Sequence, residues 1–112
     1  MLDTTPLFAA LDQFADALRA APQSRLARGA AAEGLGLARD LARRAQLLEE
    51  PARPPRTMPD AGLFAVADQL LVAGTDFSEA LRTAPSAGTA AGAAELDEAV
   101  ALIVAAKRRA FP

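Results

Sequence analysis

The sequence predicts an all-α protein, an antiparallel up-down-up-down four-helix bundle that is built from two duplicated helical hairpins. Apolar residues recur every three or four positions in four blocks, which is the period of an amphipathic helix. No block alternates with the period of a strand over a useful length, and prolines separate the blocks. The phrase FADALRAAP at 14–22 returns as FSEALRTAP at 77–85, which indicates that one unit occurs twice.

The first block carries a stripe of large apolar residues at a 4-3-4 spacing, namely Leu7, Leu11, Phe14 and Leu18. Thr5 is predicted to be the N-cap, because its hydroxyl is able to accept a hydrogen bond from the first turn. Pro6 suits that turn, where a missing backbone N–H costs nothing. Pro22 ends the block, since the residue before a proline is disfavoured in the α region.

The second block begins near Ser24, ends at Pro51 and carries a helical set of Leu26, Ala30, Leu37, Leu41 and Leu48. It also contains glycines at positions 29, 34 and 36. Each glycine lowers the stability of an exposed helix by about 1 kcal/mol relative to alanine. These glycines either break or delay the helix over 24–36, or they allow a neighbouring helix to approach closely. We expect a helix whose first half is weak.

A proline-rich segment, PARPPRTMP at 51–59, is predicted to be an extended linker. The third block opens at Thr57 or Asp60, ends at Pro85 and repeats the helical spacing in Leu63, Ala67, Leu70, Gly74, Phe77 and Leu81. After SAGTAAG, the fourth block carries Leu96, Val100, Ile103 and Val104. Short turns make each pair of helices antiparallel, and the linker is long enough to return the chain across the end of the first pair.

The repeated phrase is interpreted as an internal duplication. Six residues of the first phrase recur 63 residues later, and the pairs are Phe14 and Phe77, Ala17 and Ala80, Leu18 and Leu81, Arg19 and Arg82, Ala21 and Ala84, Pro22 and Pro85. LFA at 7–9 also matches 63–65 at an offset of 56, one heptad shorter, which keeps a buried face in register. The triplet RRA at 43–45 returns at 108–110. We expect one domain over 1–112, with hairpin 1 at about 5–50, the linker at 51–59 and hairpin 2 at about 60–111.

The composition excludes several kinds of site. The chain has no Cys and no His, so it lacks thiolate ligands, a cysteine nucleophile, the usual zinc and haem ligand and the commonest general base. Trp and Tyr are absent too, which argues against a tryptophan-anchored interface. Asp12 and Asp16 lie on the helix face away from the apolar stripe, where carboxylates are solvated. We expect no enzymatic activity, no cofactor and no metal.

The sequence also bears on location and on charged partners. The first residues lack the basic region of a signal peptide, and no window approaches the roughly 18 uncharged apolar residues of a membrane span. We therefore expect a cytoplasmic protein without a membrane partner. The net charge of −2 does not favour nucleic acid as a partner.

Basic residues lie towards the C-terminal ends of the second and fourth blocks. In an up-down-up-down bundle these two blocks run in the same direction, so their cations meet at one end as a candidate anion-binding set of Arg43, Arg44, Lys107, Arg108 and Arg109. The alternative is structural. A cation in the last turn faces the negative end of the helix dipole, which stabilises the helix by about 0.3–1 kcal/mol.

Two apolar runs, 70–72 and 102–104, cover more than one helix face. Exposed apolar patches of this kind mark partner surfaces, and the candidate partner-binding residues are Leu71, Val72, Leu102 and Val104. The alternative is a broad buried face on a central helix, with Val104 completing the core.

The leading hypothesis is a non-enzymatic helical interaction module, which self-associates as a homodimer or binds a helix of another protein. One alternative is a carrier of a small apolar ligand, held in a cavity lined by Phe8, Phe14, Phe64 and Phe77. A further alternative is anion or nucleic-acid binding through the Arg/Lys-rich end.

Overall fold

The computed structural model describes residues 2–112 and contains four long helices. They are α1 (Thr5–Ala20), α2 (Ala31–Glu49), α3 (Val66–Thr83) and α4 (Ala90–Ala110). No strand occurs within the described residues. The four helices pack around one hydrophobic core, so the predicted all-α four-helix bundle is confirmed.

Ion pairs between helices fix two of the relative directions. Arg19 near the end of α1 contacts Asp68 near the start of α3, with 2.5 Å between nitrogen and oxygen, so α1 and α3 are antiparallel. Arg109 at the end of α4 lies 2.9 Å from Glu33 at the start of α2, and α2 and α4 are therefore antiparallel too.

The helices α2 and α3, by contrast, run in the same direction. Near the start of both helices, Cγ1 of Val66 lies 2.7 Å from the point where a Cβ on Gly34 would stand. Further along both helices, Ala45 and Asp76 line one groove. The directions of α1 to α4 are thus up, down, down, up, rather than the expected up-down-up-down order.

The linker explains this difference. It does not cross the end of the first helix pair but runs back along α2, where Gln46 accepts a hydrogen bond from the Arg56 N–H at 2.8 Å and donates to the Arg56 carbonyl at 3.0 Å. Closer to the start of α2, Arg39 Nε donates to the Met58 carbonyl at 2.8 Å. The chain therefore reaches α3 beside the start of α2.

The helices of each predicted hairpin lie diagonally across the bundle. Helices α1 and α2 each pack mainly against α3 and α4. The two halves of the chain are consequently interlocked, and most of the core forms between the halves.

Burial follows the internal repeat closely. Every buried residue of α1 lies 63 residues before a buried residue of α3, and these α1 residues are Leu7, Ala10, Leu11, Phe14, Ala15 and Leu18. Five buried residues of α4 lie 65 residues after a buried residue of α2, and these are Leu96, Ala99, Ile103, Ala106 and Ala110. The two halves are thus related by an approximate two-fold axis, which is the arrangement expected of a duplicated unit.

The second sequence match, at an offset of 56, has no structural counterpart. Leu63–Ala65 forms a 3-10 turn before α3 instead of part of an α-helix. Phe64 in this turn is 74% exposed, whereas Phe8, its sequence match, is partly buried against the core. The whole of α1 corresponds to α3 at the offset of 63, so no heptad is inserted.

The three glycines of the second block have different roles. A helical segment begins at Gln23, but Gly29 has φ +146°, which kinks the chain before α2. Gly34 lies inside α2 against Val66 and Leu18, where a side chain would overlap both. Gly36 is exposed and has open space around it. The expected weak first half is therefore a helix with one break at Gly29, and close approach accounts for Gly34.

We predict opposite effects of alanine at two of these glycines. Gly29→Ala forces an L-residue into a strained backbone conformation and lowers the free energy of unfolding by about 1–3 kcal/mol. Gly36→Ala, at a regular and open helical position, raises it by about 0.5–1 kcal/mol. Urea denaturation of both variants measures the difference. A Gly29→Ala protein as stable as the wild type would contradict the role given to the kink.

The N-cap of α1 differs from the one predicted. Thr5 is the first helical residue, and the side chain of Thr4 before it makes no capping hydrogen bond. Instead, the carboxylate of Asp3 accepts the Thr5 N–H at 3.0 Å. Hydrogen bonds from the Thr5 hydroxyl and from its N–H lower the pKa of Asp3.

We predict that the contribution of Asp3 depends on pH. Because its pKa is lower in the folded state, its contribution to stability is present above the unfolded value, near 3.8, and is lost as the pH falls through the folded value. Asp3→Ala should lower the melting temperature at pH 7, and the difference from the wild type should shrink below pH 3.8. Thr4→Ala is the matched control and should change little at either pH. A pH-independent effect of Asp3→Ala would rule out this role.

Candidate functional site

The four candidate partner-binding residues do not form one surface. Val72 is 58% exposed on α3, and Val104 is 37% exposed on α4. Leu71 and Leu102 are partly buried and pack against the core. Because α3 and α4 are diagonal in the bundle, their outer faces point away from each other. The two valines therefore belong to different surfaces.

The five candidate anion-binding residues are divided among separate places, because α2 and α4 are antiparallel. Arg43 is paired with Asp40 at 2.6 Å on α2. Arg109 is paired with Glu33 at the opposite end of α2. Lys107 and Arg108 lie at a third place, beside a groove between α1 and α4. The structure does not bring these cations together at one end.

Arg44 is more enclosed than Arg43 and Arg109. It lies 3.3 Å from Asp40, 3.7 Å from Glu95 and 3.3 Å from Glu98. Partial burial disfavours its charge, but the hydrogen bond to Glu98 and the attraction of Asp40 and Glu98 outweigh this effect and raise its pKa. Arg44 is thus neutralised within the chain and joins α2 to α4.

The pairs Arg44–Glu98 and Arg109–Glu33 occupy equivalent places in the two halves. Arg109 lies 65 positions after Arg44, and Glu98 lies 65 positions after Glu33, so each pair joins one residue of the first half to the counterpart of its partner in the second half. The side chain of Arg44 is 18% exposed and that of Arg109 is 60% exposed. The two pairs therefore provide a matched comparison of equivalent arginines at two depths.

We predict that these two arginines contribute unequally to stability. Arg44→Ala removes a partly buried arginine and the cation that Glu95 and Glu98 contact, and it lowers the free energy of unfolding by about 1–2 kcal/mol. Arg109→Ala removes a more exposed arginine with a single carboxylate partner and lowers it by about 0–1 kcal/mol. Chemical denaturation at low salt measures both values. Equal losses of stability in the two variants would show that the depth of the arginine does not matter here.

The groove between α1 and α4 combines an apolar floor with a basic rim. It has a volume of about 260 Å³. Val104 and Phe111 contribute the accessible apolar surface, and Ile103, which also lines the groove, is completely buried. The ring of Phe111 meets that of Phe14 edge to face, with the centroids 6.4 Å apart, so the floor is anchored to the core. Helix α1 completes the groove with Ala10 and Gln13.

The rim of this groove carries positive charge. Lys107 and Arg108 both line it, and neither forms an ion pair with a carboxylate within residues 2–112. Of the residues that the structure describes, no carboxylate lines the groove itself. The groove thus joins Val104, a candidate partner-binding residue, to two of the candidate anion-binding residues, and we define it as the candidate site.

Other kinds of site find less support in the geometry. Phe14 and Phe77 are completely buried in the core while Phe64 is exposed, so the four phenylalanines do not line one cavity. Among the described residues, no three His, Cys, Asp or Glu side chains are close enough to hold a metal ion. None of the helices in this part of the chain is long and apolar enough to span a membrane.

No protein family, curated protein or solved structure matches the chain. The candidate site is therefore defined by the geometry of the chain alone. Sequence reasoning found Val104, Lys107 and Arg108 through the apolar run and the basic end. It missed Ala10, Gln13 and Phe111, because their part in the groove depends on which helix lies next to α4.

Proposed function

We propose that the chain is a non-enzymatic protein–protein interaction module, which binds another protein at the groove between α1 and α4. One observation carries the proposal, namely an accessible apolar floor next to two cations without an intramolecular partner. Protein interfaces commonly have this form, with an apolar centre surrounded by a polar rim.

Val104 and Phe111 supply the apolar contact in this proposal. Both remain partly accessible, and burial of apolar surface contributes about 25 cal/mol per Å². Phe111 is already held against Phe14, so it loses little side-chain freedom when a partner binds. Lys107 and Arg108 add orientation and a faster encounter with an acidic partner, as charges on an interface rim do.

The groove supports a protein partner better than the alternative ligands. A small apolar molecule is normally held in a cavity that buries most of its surface, whereas this groove lies open beside two charged side chains. Binding of nucleic acid requires a continuous basic stripe, and the cations of this chain are divided among three places. Arginine neutralises the carboxylates Asp40, Glu33 and Glu98, which leaves them poorly suited to acid–base chemistry.

Self-association and binding of a different protein remain two forms of this function. A second copy is able to offer Asp12 or Asp16, which are exposed on α1. Sedimentation equilibrium measures the solution mass and separates a homodimer from a monomer that binds a different protein.

We predict that a negative charge introduced into the groove strongly weakens binding. Val104→Glu places a carboxylate on the apolar floor, and Lys107→Glu reverses the rim, so each should weaken self-association or partner capture at least tenfold. Val72→Glu is the matched control, because Val72 is a more exposed valine on the opposite side of the bundle. It should leave binding unchanged, and circular dichroism should confirm that all three variants fold.

A strict monomer that captures no protein in its native host would refute this function. Loss of binding in Val72→Glu together with normal binding in Val104→Glu would instead place the interface on α3.

A further inference from the structure

The approximate two-fold axis relates the open α1–α4 groove to a second groove, between α2 and α3. The equivalent positions follow from the offsets of 63 and 65 in the burial pattern. Ala10 and Gln13 correspond to Ala73 and Asp76, and Lys107 and Phe111 correspond to Ala42 and Gln46. Of the seven residues that line the α1–α4 groove, three have counterparts that line the groove between α2 and α3, namely Asp76, Ala42 and Gln46. The counterparts of Val104 and Arg108, Arg39 and Arg43, lie beside the same linker in a groove that shares Arg56 and Thr57 with it. The chain therefore has two versions of one groove.

The linker occupies the α2–α3 version. Arg56, Thr57, Met58 and Pro59 line this groove together with α2 and α3. The side chain of Met58 packs against the core. The backbone of the segment is held from both sides, by Gln46 and Arg39 of α2 and by Gln69 of α3, whose Nε2 donates to the Pro59 carbonyl at 2.9 Å. This groove thus binds an extended, proline-containing segment, in which Met58 is the one apolar side chain that packs against the core.

In the α1–α4 version, the residues that hold the linker are replaced. Position 39 has an arginine donor, and its counterpart is Val104. Position 46 has a glutamine, and its counterpart is Phe111. The third donor, the side-chain amide of Gln69, corresponds to Pro6, whose side chain is aliphatic and has no donor. The open groove therefore offers apolar contact where the occupied groove offers hydrogen bonds.

The charge of the open groove differs in a similar way. In the first half, Arg43 is paired with Asp40 on the same helix. Their counterparts in α4 are Arg108 and Ala105, so the internal carboxylate is missing. A carboxylate from outside the chain is able to take the place that Asp40 fills in the first half.

We propose that the α1–α4 groove binds an extended, proline-containing segment of a partner protein, which inserts an apolar side chain beside Val104 and Phe111 and places a carboxylate near Lys107 and Arg108. This inference rests on the proposed function, and it specifies which kind of partner segment binds in the groove. A proline-rich segment loses little entropy on binding, and such segments bind grooves lined by aromatic rings.

The linker of a second copy is a poorer occupant. Its arginines, Arg53 and Arg56, would face Lys107 and Arg108. Its Met58 already packs in its own groove. A helix is a poorer occupant as well, because the related groove in the same molecule binds an extended segment.

The test builds the proposed complex within one molecule. The full chain is extended after Pro112 by a tail that repeats residues 48–59, with glutamate in place of both arginines. The tail methionine then lies 65 positions after Met58. It therefore follows Phe111 at the same distance along the sequence as Met58 follows Gln46. Tethering raises the effective concentration to the order of millimolar, so even a weak contact is populated.

The measurement is the nuclear Overhauser effect between the tail methionine methyl and the methyl groups of Val104, together with the backbone order of the tail. We expect a direct contact and an ordered, non-helical tail. Two controls are a tail with glutamate in place of methionine and a helix-forming tail of equal length and charge. Both should stay mobile, and tailed Val104→Glu should lose the contact.

The possible outcomes separate this inference from the proposed function. If the helix-forming tail occupies the groove and the extended tail does not, the extended-segment inference is refuted while the groove remains an interface. If neither tail binds but Val104→Glu still abolishes partner capture, the inference is again refuted and the function stands. If the tail orders against α3 instead, or if a homodimer closes the groove, the assignment of the occupant is overturned.

Discussion

The two halves of the chain are interlocked, and they meet in a close contact of Leu11 on α1 with Gly74 on α3. Gly74 is the residue 63 positions after Leu11, so the contact lies at the approximate two-fold axis. A Cβ at position 74 would overlap the buried Leu11 side chain. The first half therefore supplies a large side chain where the second supplies none, and the two helices cross at a separation that equal side chains would not allow.

Local periodicity was enough to predict the helices and their buried faces. Phe14 and Phe77 are both completely buried, as the repeated phrase indicated, because a stripe at helical spacing depends only on neighbouring residues. The direction of α3 was not predictable in this way, since a proline-rich linker is compatible with both directions. Tertiary hydrogen bonds from Gln46 and Arg39 decide it. Half of the candidate site was missed for the same reason, because the place of Phe111 depends on the neighbour of α4.

The two halves share their buried residues and differ at the positions that contact the linker. Ala38 and Ile103 are equivalent and both completely buried. By contrast, Arg39 and Val104 are equivalent, and only the arginine holds a linker carbonyl. Residues in the core must remain complementary to both halves, whereas residues on the grooves are constrained only by what occupies them. The divergence of the grooves is thus compatible with an unchanged core.

The topology explains why one groove is covered and the other is open. Helices α2 and α3 are parallel neighbours and consecutive along the chain, so the segment that joins them must travel back over the length of α2, and the groove between them is the natural path. Helices α1 and α4 are also parallel neighbours, because each is antiparallel to a member of that first pair. They are not consecutive, however, and no connection needs to run between them. The same crossing of the two halves that buries the core therefore leaves one groove without an intramolecular occupant.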